Sequence, residues 1–369
     1  MSLRSPLHES HRALGGRLVD FAGWDMPLQF SGVVAEHTAV RERVGLFDVS
    51  HLGKLLVEGP GAVEALERAV TNGVASMPEW RARYNLVLTE AGGIVDDLFV
   101  YRRPDAWLVV PNAANASAVL EAIRSAGGPD ARVTDARQRW AILALQGPAS
   151  RKVADSLLPG ATDLPLHAFG DFDLNLGVKR ASVQVARTGY TGEYGFELFV
   201  PSGDAPGVWE LLLDAGDPYG ILPVGLGARD TLRLEMGYPL HGHEISVDTN
   251  PIEAGLGWTI DWSKPDFVGR EAVEAVRRAG PTRILTGLAA EGPGIPRAGQ
   301  AVLRDGEPVG TVTSGNFSPT LRKGIALAYV TPEAGEPGLG LEVDVRGKRL
   351  PVTVTKPPFV PRGRAAPKS

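Results

Sequence analysis

The residue types best suited to chemistry are concentrated in residues 187–197, which read RTGYTGEYGFE. The segment combines three glycines with a cation, two tyrosines and two carboxylates, and strand-like alternating residues flank it on both sides. Glycine permits backbone angles and close approaches that a Cβ would block. A tight structural turn would explain the glycines alone. A ligand site would also explain the charged and aromatic residues, and the segment by itself leaves both interpretations open.

Two adjacent carboxylates, Asp96 and Asp97, interrupt an apolar run at residues 94–101 that is typical of a strand. Successive strand residues face opposite sides, so the two carboxylates are expected to point apart. If the sheet is covered on both faces, one of them is buried and needs a polar partner. An edge strand with two solvated carboxylates is one interpretation. The other is an acid–base or charge-stabilising group with a shifted pKa.

Three further segments carry polar groups that could face a ligand. Arg229 and Arg233 stand four apart on a predicted helix at 226–236, and they could clamp an anion or lie on a solvated face. Asn112 follows an apolar strand, where it could orient a ligand or cap a loop. Residues 314–320, SGNFSPT, are predicted to form a loop between two strands, either as a plain connection or facing the site.

Several other functions are disfavoured by the sequence. His241, His243 and Glu244 lie in an irregular segment, and we expect no metal site there. The GLGAR segment at 225–229 lacks the third glycine and the βαβ context of a dinucleotide-binding fingerprint. The chain has 0 Cys, which excludes disulfides, thiolate catalysis and cysteine-ligated metals.

The overall composition indicates a globular protein. A formal net charge of −5 gives no support to a nucleic-acid surface. We see no run long and apolar enough to cross a bilayer and no signal-peptide core at the N-terminus, so we expect a soluble, cytoplasmic protein with no membrane partner.

The elements that must position these residues fall into two regions. With 369 residues the chain is too long for one ordinary core. Up to about Gly280, strands and helices alternate without a regular βαβ order, which predicts an α+β fold with predominantly antiparallel sheets. Beyond it, short alternating runs with turn signals such as Asp305-Gly306 predict a C-terminal all-β barrel or jelly-roll-like domain. We therefore expect domains at 1–279 and 280–369.

Six short motifs, taken together and in order, resemble the aminomethyltransferase family, the T-proteins of the glycine cleavage system. Each motif is weak alone, but the set spans essentially the whole chain. They are VDFAGW at 19–24, GLFDVSH at 45–51, GGIVDDL at 92–98, RTGYTGE at 187–193, GLGARD at 225–230 and SGNFSPT at 314–320.

The resemblance implies two intertwined α+β subdomains that bind folate in a central opening, followed by the barrel. It also implies a reaction. The one-carbon unit of an aminomethyl group on lipoylated H-protein passes to tetrahydrofolate, ammonia is released, and 5,10-methylenetetrahydrofolate and dihydrolipoyl H-protein result. Tetrahydrofolate is then a cosubstrate, and no metal or redox cofactor is implied.

Carried over position by position, the resemblance makes Asp97 the catalytic carboxylate. The folate-binding positions implied are Tyr84, Asn112, Tyr190, Glu197, Arg229, Tyr238 and Arg364, with Arg362 as the alternative at the C-terminus. The chemistry suits these residues, since a pterin presents a pair of donors that a carboxylate such as Glu197 can accept. A carboxylate at Asp97 can stabilise an iminium-like carbon and orient the attacking folate nitrogen. Leu52 stands where many relatives carry Met, a swap of similar volume.

Two rival functions fit less well. Folate-linked domains of sarcosine- and dimethylglycine-oxidising enzymes are normally joined to flavin-binding regions, for which this chain has neither a fingerprint nor spare length. Folate-binding proteins that assist iron–sulfur assembly or RNA modification typically carry a cysteine-containing signature, which is missing here.

Overall fold

The structure is a computed structural model that describes residues 2–177 and 179–363. It opens with a small three-stranded sheet in which β3 lies between β1 and β2. A helix, α2, follows and carries residues that matter for the site below. The first elements are β1 Leu3–Arg4, α1 His8–Ala13, β2 Arg17–Phe21, β3 Trp24–Gln29 and α2 Val33–Glu42.

Two larger sheets form the body of the molecule. The strands of the first are β4 Gly45–Asp48, β10 Trp140–Gln146, β11 Phe169–Asn175, β12 Arg180–Ala186, β13 Gly195–Pro201 and β14 Leu222–Val224. The strands of the second are β5 Leu55–Glu58, β6 Arg81–Leu88, β7 Ile94–Arg102, β8 Trp107–Val110 and β9 Arg132–Asp135. Their orders are β11-β12-β13-β10-β4-β14 and β6-β7-β8-β5-β9. The chain leaves the first sheet after β4, builds the second and returns at β10, so the two units are interleaved.

Apolar side chains join the two sheets and the helices outside them. One buried cluster takes Phe47 and Phe199 from the first sheet and Tyr101 and Leu108 from the second. Other clusters lie under helices on the outer faces, for example around Trp209. Burial on both faces explains why β10 is apolar along most of its length. The remaining helices are α3 Ala62–Ala69, α4 Ala116–Ala126, α5 Ser150–Leu157, α6 Ala205–Gly216, α7 Leu226–Glu235 and α8 Arg270–Ala279.

The C-terminal strands close into a barrel. They are β15 Ile284–Ala290, β16 Ala301–Arg304, β17 Glu307–Ser318, β18 Lys323–Val330, β19 Gly340–Val345 and β20 Lys348–Thr355. Neighbours around the barrel follow the order β15-β18-β17-β16-β19-β20. The turn after β16 has φ of 52° at Asp305 and 87° at Gly306, as a tight two-residue hairpin requires. The predicted α+β fold with a C-terminal barrel is confirmed.

Two local predictions were wrong. The edge-strand interpretation of Asp96 and Asp97 fails, because β7 lies between β6 and β8 in its sheet. The predicted loop at 314–320 is mostly strand, since β17 continues to Ser318. The pairing of β17 with β18 shifts between Val312 and Ser314, and such an irregularity breaks the alternation by which a strand is recognised in sequence.

In the part of the chain that the structure describes, no helix is both long and apolar enough to cross a membrane.

Candidate active site

The buried member of the carboxylate pair is Asp96, whose exposed fraction is 0%. Its partners come from the segment between β8 and α4. The Asn112 backbone N–H donates to its Oδ2 at 2.8 Å, and the Asn115 side-chain amide donates to its Oδ1 at 2.7 Å. Asp96 therefore has the polar partners that a buried carboxylate on a covered strand requires.

Asp97 is partly buried and is held by two side chains. The Tyr84 hydroxyl, from the neighbouring strand β6, donates to Oδ2 at 2.8 Å. The Asn112 Nδ2 lies 2.9 Å from Oδ1 of Asp97 and 2.9 Å from Oδ1 of Asp96, so a single amide bridges the pair. The structure thus brings Tyr84, Asp97 and Asn112 into direct contact.

Burial makes both carboxylates weaker acids. It raises the pKa of Asp96 to about 7, and the nearby charge of Asp97 adds to the rise. It also raises the pKa of Asp97, against the hydrogen bonds from Tyr84 and Asn112, which lower it. A pair with one proton available near neutral pH is suited to proton transfer as well as to charge stabilisation.

The second group of candidate residues is a stack of two tyrosines and an arginine. The rings of Tyr190 and Tyr238 are stacked with centroids 5.6 Å apart and planes at 29°. The Arg229 guanidinium carbon lies 4.7 Å from the Tyr190 ring centroid, and the Tyr190 hydroxyl donates to the Pro239 carbonyl. Within residues 2–177 and 179–363, no carboxylate lies within 4.0 Å of the Arg229 guanidinium. Its charge is therefore available to a ligand.

Glu197 lies in β13 beside this stack and is partly buried. Thr188 donates its hydroxyl to the Glu197 carboxylate, and the Thr188 and Tyr101 hydroxyls are 3.4 Å apart. Burial raises the pKa of Glu197, while the Thr188 hydrogen bond and the Arg229 charge lower it. The result is a fixed acceptor beside an arginine that, in the described part of the chain, has no carboxylate within 4.0 Å.

The two groups lie close enough to interact electrostatically. Burial raises the pKa of Tyr190, and the charge of Asp97 adds to that rise. Burial and the charge of Asp97 also raise the pKa of Tyr84, with a smaller contribution from Tyr190. One end of the site therefore offers a carboxylate pair with an amide. The other end offers an acceptor, a cation and aromatic rings. Such a site can bind a flat, donor-bearing ring and bring a second reactant to Asp97.

The two arginines of α7 do not act as a pair. Arg233 is buried and its guanidinium donates to Asp230 at 2.9 Å, Glu244 at 2.9 Å and Ser314 at 2.8 Å. The two-arginine clamp and the solvated face are therefore both wrong for Arg233, whereas Arg229 lies over the Tyr190 ring. The structure shows no group of three or more potential His, Asp or Glu metal ligands among the residues it describes.

The two C-terminal candidates for a ligand contact are Arg362 and Arg364. Arg362 is exposed. The N–H of Gly363 donates to the Gly192 carbonyl at 3.0 Å, which brings the last described residue to the glycine-rich segment. Arg364 lies outside the described residues. Leu52 is partly buried against the cluster between the two sheets.

Sequence reasoning missed three residues near the site. Thr188 holds Glu197, but a threonine in a glycine-rich segment gives no signal of that contact. Trp258 is 68% exposed and stacks on Tyr84 with centroids 5.6 Å apart. His241 lies beside the strand that carries Asp97, with its Nε2 3.4 Å from the Ile94 carbonyl oxygen. An exposed tryptophan and a lone histidine become informative only when their neighbours are known.

Comparison with protein families assigns a class to this fold and site. The GCVT N-terminal domain model matches residues 7–264, and the glycine cleavage T-protein C-terminal barrel domain model matches residues 283–361. The protein therefore has the domain composition of a glycine cleavage T-protein.

Individual relatives are more specific. An aminomethyltransferase of Shouchella clausii is 46% identical over 364 residues, covering 98% of both chains. One from Mycobacterium tuberculosis is 47% identical over 361 residues, covering 97% of both. The crystal structure of glycine cleavage system aminomethyltransferase T from Bartonella henselae matches with a TM-score of 0.90 and 36% identity, over 98% of this chain and 99% of that one. The chain belongs to the aminomethyltransferase family.

The family resemblance predicted from the six motifs is thus confirmed, and with it the enzyme class: an aminomethyltransferase of the glycine cleavage system, a folate-dependent one-carbon transferase. The roles of individual residues stay predictions.

Proposed function

We propose that this enzyme uses lipoylated H-protein as the aminomethyl donor and tetrahydrofolate as the acceptor. The products are ammonia, 5,10-methylenetetrahydrofolate and dihydrolipoyl H-protein. The observation that carries the proposal is the partly buried Asp97, held by Tyr84 and Asn112 beside the Tyr190, Glu197 and Arg229 group.

The bond changes balance without an oxidant. Two folate nitrogens each form a bond to the methylene carbon, while the carbon's bonds to the amine nitrogen and to the lipoyl sulfur break. The two protons lost by folate end on the departing ammonia and on the thiol. Asp97 stabilises positive charge as the carbon becomes iminium-like, and it orients the folate nitrogen that attacks.

The other end of the site serves the pterin ring. Glu197 accepts the ring's pair of N–H donors, and Thr188 holds that carboxylate in place. The Tyr190 and Tyr238 rings pack against the folate, and Arg229 offers a cation to it. Arg364, from the C-terminus, is proposed as a further ligand contact on the family resemblance alone.

The domain boundaries stay as proposed, with a folate-binding region at 1–279 and a barrel with its tail at 280–369. The last helix before the boundary ends at Ala279, and the first barrel strand begins at Ile284. H-protein docks where its lipoyl arm can reach Asp97.

The decisive assay measures ammonia release from aminomethyl-loaded H-protein with and without tetrahydrofolate. We expect fast release that depends on tetrahydrofolate and yields one methylenetetrahydrofolate per ammonia. The proposal fails if loaded H-protein and free aminomethyl-lipoamide are both inert. Calorimetry with reduced folate tests the binding role of Glu197, since Glu197→Ala should weaken binding by about 1–3 kcal/mol through loss of a buried acceptor.

A further inference from the structure

Arg41, on α2, is a partly buried arginine that the mechanism above does not use. Its side chain is 9% exposed, and its guanidinium meets acceptors from two other segments. Buried guanidinium groups with several fixed acceptors hold those acceptors in a defined geometry, because the donors form a rigid planar fork.

One side of the fork holds the segment that carries Tyr190. The Arg41 NH1 group donates to the Thr191 carbonyl at 2.7 Å and to the Glu193 carboxylate at 2.8 Å. Gly192, between these two acceptors, has φ of 78°, so the chain turns sharply at the point where Arg41 hydrogen-bonds to it. Thr191 directly follows Tyr190 in the chain. Holding the Thr191 carbonyl in place therefore also restrains the backbone of Tyr190, from which its ring extends.

The other side of the fork holds the end of α7. Arg41 Nε donates to the Glu235 carboxylate at 3.0 Å, and its NH2 group donates to the Leu232 carbonyl at 3.2 Å. Arg229 lies six residues before Glu235 on the same helix, and its guanidinium lies over the Tyr190 ring. Arg41 thus joins the two elements whose side chains form the cation–aromatic contact.

Glu235 extends these contacts to the barrel and the tail. Its carboxylate accepts from the Ser318 hydroxyl at 2.5 Å and the Thr320 hydroxyl at 3.0 Å, and its backbone carbonyl accepts from the Phe359 N–H at 2.8 Å. The motif at 314–320, for which the sequence left a plain connection and a site-facing loop open, supplies these hydroxyls.

We propose that Arg41 is a positioning residue for folate binding, which fixes the Tyr190 segment relative to α7 and the barrel through Thr191, Glu193 and Glu235. This inference rests on the proposed function. Arg41 touches no reacting atom in the proposed mechanism, so its loss should affect binding of the ring more than the chemical step.

The test compares tetrahydrofolate KM, kcat and calorimetric Kd in the full chain. Arg41→Gln should raise KM and Kd at least about 10-fold while kcat at saturating folate stays within about 3-fold, because misplaced binding groups are corrected only at the expense of affinity. Arg41→Lys should restore little, since a single ammonium cannot reach Thr191, Glu193 and Glu235 together. Arg132→Gln is the matched control, because its side chain is 73% exposed, and it should change neither constant.

Coupling gives a second readout. Glu193→Gln should raise the folate KM about 3-fold or more. The double variant Arg41→Gln/Glu193→Gln should have a folate KM no higher than that of Arg41→Gln alone, because both substitutions break the same contact between Arg41 and Glu193. If Arg41→Gln does not fold, Glu193→Gln still tests the inference. A folded Arg41→Gln or Glu193→Gln enzyme with wild-type folate KM would overturn it. If the wild-type enzyme itself fails to bind tetrahydrofolate, the proposed function has failed instead.

Discussion

At the scale of single residues, the unusual feature is a pair of neighbouring carboxylates that share one amide donor. Asp96 and Asp97 both contact the Asn112 amide nitrogen at 2.9 Å. Their side chains leave the strand on opposite sides, yet the amide reaches both from the end of β8. The ionisation of the buried Asp96 is therefore coupled electrostatically to that of Asp97, the proposed catalytic carboxylate.

This coupling predicts a measurable shift in the titration of Asp96. Burial and the charge of Asp97 raise the pKa of Asp96 from 3.8 to about 7. The native state therefore holds more protons than the unfolded state between about pH 4 and 7, and the stability due to this group falls as the pH rises through that window. Asp97→Asn removes the neighbouring charge, so the pKa of Asp96 should fall.

Carbon-13 NMR of the carboxyl carbons, with Asp96→Asn to assign the signal, measures that midpoint. A midpoint for Asp96 that does not move in the Asp97→Asn variant would show that the two carboxylates are not coupled.

Residue-level prediction from sequence succeeded where backbone geometry decides the outcome. Strand alternation predicted that one acid of the pair would be buried and need partners if the sheet were covered on both faces, and Asp96 is that acid. It could not predict that Asn115 would be one of them, or that Thr188 would hold Glu197, because those contacts depend on the packing of distant segments.

At the scale of elements, α7 is placed by a close approach to β3. An ideal Cβ at Gly225, just before α7, would lie 2.4 Å from the Leu28 carbonyl oxygen, and the Gly225 N–H donates to the buried Glu36 at 2.8 Å. Gly225, the first glycine of the GLGARD motif, is therefore needed for close packing against β3.

Gly225→Ala should consequently destabilise the protein by about 1–3 kcal/mol and weaken folate binding, because it displaces the start of the helix that carries Arg229. Urea unfolding and calorimetry measure the two effects. Gly203→Ala is the control, since its added Cβ would meet nothing within 4 Å and should cost less than about 0.5 kcal/mol. Equal stability of the two variants would contradict this account of α7.

Element-level prediction failed at 314–320 for a physical reason. Hydroxyls and an amide in sequence are typical of a solvated loop. Here Ser314 and Ser318 are buried in a strand because Arg233 and Glu235, from α7, supply their partners. Those partners lie about 80 residues away in the chain, so no local sequence pattern predicts the contacts.

At the scale of the whole molecule, the barrel is attached to the N-terminal α+β region by buried charged contacts as well as apolar ones. Leu234 of α7 packs with Ile325 and Leu327 of the barrel. Beside them, Arg233 joins the fully buried Glu244 to Ser314. The position of the barrel relative to α7 is thus specified by directional hydrogen bonds.

Removing that arginine should be costly. Arg233→Met leaves the Glu244 carboxylate buried without its cation, and we expect a loss of about 3–5 kcal/mol in the free energy of unfolding. Arg124→Met, which breaks a pair whose side chains are 50% and 66% exposed, should cost about 1 kcal/mol or less. Urea unfolding monitored by tryptophan fluorescence gives both values. Similar losses in the two variants would mean that the buried contact does not hold the barrel.

The measurement that tests the central claim most directly is single-turnover transfer from aminomethyl-loaded H-protein to tetrahydrofolate in Asp97→Asn and Asp96→Asn. Asp97→Asn keeps the shape of the side chain but removes its charge, so transfer should slow at least about 100-fold while folate affinity changes much less. Asp96→Asn should leave the chemical step nearly intact, although it should cost stability because its new amide group must face donors from Asn112 or Asn115. Small, equal effects on transfer, or a larger loss at Asp96, would contradict the assignment of Asp97 as the catalytic carboxylate.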